Sequence, residues 1–427
     1  MFQTIVNAFK IKEIRRKILI TIALIFVYRL GCYIPVPGVE LFDLTEVPFF
    51  SIVNMASGNA LSMGTFFAMG IGPYINASII IQLLTVAIPA LERLSKQGEE
   101  GRRKINSITR IVTLVLAIAQ AIGILVAFGG SVETGKIFGS EGFLKFLSYA
   151  FLVIVYTAGA ALTMWLGERI TDYGVSNGIS MLIFSGIIST LGLNVINFIK
   201  GLFNAATASS TIWQFVGFII TAIFIFAAVV TVDSAERKIP VQYAKQVKGR
   251  KMYGGQSTHI PIKVNSSGVM PLIFAFSIIS LPDMIMGMIG HTPGATWQEI
   301  FGTGSWLYMV VLCILILFFA YFYNQIQFNP DDISKSIQGN GGFIPGIRPG
   351  KPTGDYLKKI SNRITLFGAI FLALVALVPT IILNAIQPSL TNAFSATGLL
   401  ILVSVSLEFE QALQSQIMMK NYRGFLK

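Results

Sequence analysis

Gly70-Ile-Gly-Pro-Tyr-Ile-Asn-Ala-Ser-Ile-Ile-Ile-Gln-Leu-Leu84 is an apolar run opened by a glycine–proline break. Continued to Leu91 it supplies the roughly 20 mostly apolar residues that a membrane helix needs. The Gly-Ile-Gly-Pro opening interrupts any helix arriving from upstream, so a span begins here. Just before it lies Asn54-Met-Ala-Ser-Gly-Asn-Ala-Leu-Ser-Met-Gly-Thr-Phe66, small-residue-rich and too short to span. We read residues 54–66 as a re-entrant half-helix that fills a cavity. Irregular backbone at membrane depth survives only where protein buries it or water lines it. An external loop with a surface helix is the alternative.

Working outward, similar apolar runs occupy Lys17–Ile34, Ile71–Leu91, Ile108–Phe128, Phe146–Leu166, Ile179–Ile199, Ile212–Val232, Val269–Ile289, Trp306–Tyr323, Ile364–Ile386 and Thr397–Leu413, ten candidate spans. The last is interrupted by Glu408 and Glu410. The runs are continuous rather than alternating, which excludes barrel strands. Only 12% of the 427 residues are charged and 54% are hydrophobic, whereas soluble domains carry about 25% charged residues. A water-soluble enzyme is thereby excluded. The first run ends in Pro35-Val36-Pro37 without a small-residue cleavage site, so it reads as a retained anchor and not a signal peptide. Before it, Phe2, Ile5, Val6 and Phe9 recur at helical spacing ahead of Lys10, Lys12, Arg15, Arg16 and Lys17. That pattern predicts an interfacial helix on an anionic leaflet.

Placing both termini in the cytoplasm puts all of the 32 Lys and Arg on that side except Arg29, Lys136, Lys145 and Lys200, as the positive-inside rule requires. Ten spans divide into two fives, and an odd-numbered second unit enters the membrane from the opposite side. The long connection after span 1 is external and the long connection after span 6 is cytoplasmic, as an inverted repeat gives. The expected division is residues 1–200 and 201–427. The cytoplasmic connections 233–265 and 329–363 exceed what a tight turn needs. Their Gly-Pro-Arg-rich sequences suit a docking surface for an acidic or RNA-containing partner.

Recognisable catalytic chemistry is missing. His259 and His291 stand alone, Cys32 and Cys313 both lie in apolar runs, and no metal-ligand, nucleophile-elbow or phosphate-loop spacing occurs. The spans hold almost no mid-membrane charge; Arg29, Asp283, Glu408 and Glu410 lie near their ends. An ion-coupling site of the kind transporters use is therefore absent, and another protein is expected to supply the work. A small-solute transporter and a membrane-embedded enzyme are the competing readings. Ile71, Ile75, Ile79 and Gln82 share one helix face, and Ile179 and Ile183 lie four apart. Spacing alone does not distinguish these from ordinary core or lipid-facing residues.

Several long stretches, taken together and in order, carry a resemblance. They are Ile34-Pro-Val-Pro-Gly38, Gly70 to Leu84, Gly98-Glu-Glu-Gly-Arg-Arg-Lys104, Met164-Trp-Leu-Gly-Glu168, Ser176-Asn-Gly-Ile-Ser180, Gln256-Ser-Thr-His-Ile-Pro-Ile-Lys-Val-Asn265 and Phe343-Ile-Pro-Gly-Ile-Arg-Pro-Gly350. With them the chain resembles the SecY family, the central subunits of Sec protein translocons. The resemblance implies an all-α polytopic membrane protein, ten helices in two inverted halves around an hourglass pore, passing unfolded preproteins across the cytoplasmic membrane and transmembrane segments laterally into it. It implies a pore ring of Ile71, Ile75, Ile179, Ile183, Ile273 and Ile401. It implies a plug containing Asn54, Met55, Ala56, Ser57, Gly58, Asn59, Ala60 and Leu61. It also implies a lateral gate between spans 2 and 7 with Gln82 and Asn265 hydrogen-bonding across it, and docking contacts at Arg250, Lys251 and Arg348. The expected partners are SecE-like and SecG-like small subunits, the SecA motor ATPase, the ribosome, signal peptides, preproteins and the lipid bilayer. No cofactor or metal is implied.

Overall fold

The computed structural model of the chain describes all residues except 1, 43–53, 56, 140, 203–207, 244–245, 249–250, 254–256, 266–267, 269, 280, 289–296, 298–301, 303–304, 387–395 and 425–427. The described helices are α1 (Phe2–Lys10), α2 (Lys12–Gly31), α3 (Gly72–Ala87), α4 (Pro89–Ser95), α5 (Glu99–Ala127), α6 (Gly142–Tyr173), α7 (Gly178–Leu202), α8 (Ala208–Asp233), α9 (Met270–Ile279), α10 (Leu281–Met288), α11 (Trp306–Gln327), α12 (Pro330–Gly339), α13 (Lys351–Ile386) and α14 (Ala396–Gly424). Helix occupies each of the ten apolar segments read from the sequence. Five of the described helices are long and apolar enough to cross a bilayer, and the bent pair α3–α4 makes a sixth. Helix α2 is harder to recognise by composition because Lys12, Glu13, Arg15, Arg16 and Lys17 crowd its first turns.

Span 2 ends earlier than the apolar run suggested. Pro89 holds Ile88 in extended backbone, since a residue before proline is forced out of the helical region. The chain turns by 105° there, and α4 carries Leu91 away from the span. In span 7 the described helical residues are those of α9 and α10, with residue 280 between them outside the described residues. The N-terminal helix α1 forms as expected, but its seat is mixed. Ala8 is buried with Ile14, Ile18, Val175 and Leu413, Thr4 Oγ1 donates to Glu410 Oε1, and Val6 and Phe9 stay exposed.

The long connections carry strands, and the second also holds α12 and the start of α13. Strand β1 (Glu236–Tyr243) pairs antiparallel with β4 (Ser257–Lys263) from Glu236↔Lys263 to Gln242↔Ser257. Between them β2 (Gln246–Lys248) pairs with β3 (Lys251–Tyr253) at the hairpin tip. The second connection contributes β5 (Gly342–Phe343), which joins the free edge of β1 at Gln242↔Phe343 and Tyr243↔Gly342. The strands close over their own small core of Ile239, Val241, Ile262, Ile337, Ile344 and Leu357. Both connections thus form one platform.

The main core runs from α2 and α3 through α6 and α7 to α9, α11, α13 and α14. A second cluster joins α5 and α6 to Val36, Leu61, Ala68 and Met69. Polar clasps fasten helix pairs. The Arg110 guanidinium meets the Glu168 carboxylate twice, at 2.8 Å each, tying α5 to α6. Asn324 and Ser361 exchange hydrogen bonds of 2.9 and 3.0 Å between α11 and α13.

One close approach fixes the irregular segment that precedes α3. A Cβ on Gly159 of α6 would sit 2.0 Å from the carbonyl oxygen of Phe66. Only glycine lets that backbone lie against the helix. Gly159→Val is expected to displace Phe66 and lower the thermal unfolding midpoint of the purified chain, since overpacking costs about 1–3 kcal/mol. A midpoint equal to that of the parent chain would exclude this contact as a determinant of the fold.

Candidate functional site

The turns from Asn54 to Gly70 are the centre of the site. A half-helix was expected over 54–66. Among the described residues only Asn54, Met55 and Ser57 are helical, and turns follow to Gly70. The reason is local. Gly58 (φ 70°), Asn59 (φ 69°), Gly64 (φ 56°) and Gly70 (φ 53°) all adopt left-handed backbone, which no helix accommodates in succession. Asn54 organises the turns. Its Oδ1 accepts from the Ser62 amide at 2.9 Å, its Nδ2 donates to Asn59 Oδ1 at 3.2 Å, and its carbonyl accepts from the Asn59 amide at 2.8 Å. Ala56 lies outside the described residues. Ser57, Gly58, Ala60 and Leu61 are buried.

Protein groups satisfy this segment from several helices. Thr190 Oγ1 of α7 donates to the Met55 carbonyl at 3.2 Å. Arg29 of α2 donates from Nη1 to the Ser57 carbonyl at 3.5 Å and from Nη2 to Ser189 Oγ. Its guanidinium also stands over the Tyr33 ring at 5.7 Å and against Gly58, where any side chain would collide with it. The Met55 thioether reaches Gly398 at the start of α14. Arg29 stood out in the sequence only as an isolated charge near a span end. Its role as a clamp depends on a partner 28 positions away.

All six isoleucines belong to the main core or pack against it. Ile71 caps α3 and Ile75 lies one turn on. Ile179 and Ile183 stand in the first turns of α7, Ile273 in α9 and Ile401 in α14. Ile71, Ile183 and Ile401 are buried members of the main core cluster, and Ile75, Ile179 and Ile273 pack against it. Ile71 and Ile179 both reach Gly167 of α6. Ile183, Ile273 and Ile401 also form the apolar wall of a cavity of about 320 Å3 on the hairpin side. The rest of that wall is mostly polar, with Asn177, Ser180, Asp233, Lys263, Asn265, Ser404, Glu408 and Gln411.

The two gate amides have separate partners rather than each other. Gln82 Oε1 on α3 accepts from the Tyr323 hydroxyl of α11 at 2.5 Å. Asn265 Nδ2, ahead of α9, donates to Asp233 Oδ1 of α8 at 2.7 Å. A buried amide takes whichever partner the packing brings within reach. Here the ring of Tyr323 stands 5.0 Å from that of Phe274 in α9. Tyr323 of α11 therefore bridges α3 and α9, which also touch directly. Tyr323 was missed in the sequence because an aromatic in Phe318-Phe-Ala-Tyr-Phe-Tyr323 reads as core. Its hydroxyl is the sole hint.

Of the docking residues, Arg348 is exposed in the turn before α13, where its carbonyl accepts from Thr353 Oγ1 at 2.9 Å. Lys251 opens β3, paired with Lys248. Arg250 lies outside the described residues.

Known proteins share this architecture. A family model for SecY matches residues 65–410. The protein translocase subunit SecY of Streptomyces coelicolor is 42% identical over 457 residues, covering 100% of each chain. That of Corynebacterium glutamicum is 40% identical over 450 residues, covering 99% of each. A solved structure described as "The structure of a protein conducting channel" has a TM-score of 0.68 at 19% identity, covering 94% of this chain and 92% of that one. Another, of Sec61 in the canine ribosome–channel complex from the endoplasmic reticulum, has a TM-score of 0.65 at 18% identity over 94% and 92%. These two share the fold. The identity to the curated relatives runs the full length of both proteins, and with the family match it makes this multi-pass membrane protein a member of the SecY family.

Proposed function

We propose that this chain is the protein-conducting subunit of a Sec translocon, with Ile71, Ile75, Ile179, Ile183, Ile273 and Ile401 as its constriction. The observation that supports this reading is that those six side chains, from α3, α7, α9 and α14 (Ile71 at the cap of α3), all belong to or pack against one core cluster, and three of them line a cavity that also carries polar groups.

An isoleucine side chain offers no donor or acceptor to replace an ion's hydration, so a narrow collar of them opposes ions. The same collar binds no passing side chain strongly, so it does not select by sequence. β-Branched side chains have stiff χ1 angles and hold the collar's shape without hydrogen bonds. The segment containing Asn54, Met55, Ser57, Gly58, Asn59, Ala60 and Leu61 acts as the plug on the external side, held at Arg29 and Thr190. The polar cavity is the cytoplasmic approach.

Specificity then comes from the seam between α3 and α9. The apolar stretch of a signal peptide, about 7–15 residues, replaces helix–helix packing there by its own. Polar contacts between membrane helices contribute about 0.6 kcal/mol on average, so a signal has little to overcome at Gln82 or Asn265. Residues 1–200 and 201–427 act as the two halves of the clamshell, with both termini in the cytoplasm of a bacterial cell. The platform of β1, β4 and β5 receives the SecA motor or the ribosome, with Arg250, Lys251 and Arg348 as contacts. SecE-like and SecG-like subunits complete the complex.

Reconstitution into liposomes with the partner subunits tests the whole reading, since it expects passage of a preprotein only when the motor is supplied. Uptake of a small solute by the chain alone would overturn it. Replacing Ile75 and Ile183 together by glycine is expected to raise single-channel ion conductance across planar bilayers several-fold. Conductance equal to the parent's would remove the gasket. Leucine at both Gln82 and Asn265 should change the threshold at which weakened signal sequences are accepted, read by preprotein export; an unmoved threshold counts against the gate. Arg348→Glu should cut SecA-driven transport by about tenfold while leaving the chain's abundance in the membrane intact. Full transport by that variant would rule out the contact.

A further inference from the structure

Asp233 ends α8 at the polar cavity, and its two carboxylate oxygens serve two different elements. Oδ1 accepts from Asn265 Nδ2 at 2.7 Å. Oδ2 accepts from Ser404 Oγ of α14 at 3.0 Å. Both donors are buried, and all three side chains line the cavity above Ile183, Ile273 and Ile401. Two residues before Asn265, Lys263 Nζ donates to Gln411 Oε1 of α14 at 2.6 Å. The strand that leads into α9 is therefore fastened to the C-terminal helix twice, once directly and once through Asp233. On the other face of the seam Gln82 is occupied by Tyr323. What orients Asn265 is thus an aspartate on a neighbouring helix and not its counterpart across the gate.

We propose that Asp233 is the positioning residue of the gate, holding Asn265 and the start of α9 against α8 and α14 so that α9 parts from α3 only when this bracket yields. The proposal rests on the gate reading given above. A carboxylate is suited to the task because hydrogen bonds to an ionised acceptor are roughly twice as strong as neutral ones, and one carboxylate offers both oxygens at once. Ser404 fixes the carboxylate's rotation, and the carboxylate fixes the amide.

The experiment uses the full chain in inverted membrane vesicles with its translocation partners. Two readouts are taken, export of a preprotein bearing a weakened signal and the spin-label distance between α9 and α14. Asp233→Ala is expected to raise weak-signal export about tenfold or more, the scale of one lost charge-assisted hydrogen bond, and to broaden the distance. Asp233→Asn keeps an acceptor for Asn265 and should give a smaller rise. Asn265→Ala should match Asp233→Ala, and the double variant should add nothing further, because both changes open one bracket. Independent, additive effects would overturn the proposal, as would an unchanged α9–α14 distance. A broadened distance with unmoved export in Asp233→Ala and in the Gln82/Asn265 leucine variant keeps the bracket and overturns the gate reading instead. Should Asp233→Ala fail to accumulate, Ser404→Ala removes one hydroxyl from the same bracket. It should raise weak-signal export in the same direction, and no rise would overturn the proposal.

Discussion

Backbone that leaves helical geometry at membrane depth must find a partner for its N–H and C=O groups inside the protein, because lipid supplies none. The segment from Asn54 to Gly70 meets that demand with its neighbours. Asn54 takes up the Ser62 amide, Thr190 the Met55 carbonyl and Arg29 the Ser57 carbonyl. Gly159 lets the Phe66 backbone press against α6. Helices α2, α6 and α7 thereby hold this irregular segment by polar contacts and by close backbone approach. The isoleucines of the main core pack by dispersion alone, and dispersion is lost and regained without breaking strong bonds.

Apolar contact supplies most of the packing between these helices, and a few polar groups supply the geometry. Gln82 with Tyr323, and Asn265 with Asp233 and Ser404, are short bonds at the rim of an otherwise greasy seam. Each is modest in energy, so the closed arrangement is specified without being locked. The ionic clasp Arg110–Glu168 ties α5 to α6, where rigidity serves the scaffold.

Much of this was legible in the residues. The glycine–proline break at Gly70, the continuous apolar runs and the one-sided Lys and Arg specified a polytopic helical protein, and the family motifs pointed to the six isoleucines. Two expectations about shape needed revision. A half-helix over 54–66 looked reasonable by length, but three left-handed residues, Gly58, Asn59 and Gly64, turned it into linked turns. Span 2 looked continuous to Leu91, but Pro89 bends it. Both failures have one origin, since apolar content was read ahead of backbone conformation.

The sequence by itself determined which segments are apolar enough for lipid and that Lys and Arg crowd alternate connections, because those are sums over local residues. Only the tertiary structure decided who touches whom across long separations. Arg29 meets Ser57 and Ser189, Asp233 meets Asn265 and Ser404, and β5 from one connection completes a sheet begun in the other. Such pairings are absent from any local pattern. Each is set by how helices pack, and packing selects partners by shape and distance that no single stretch of chain contains.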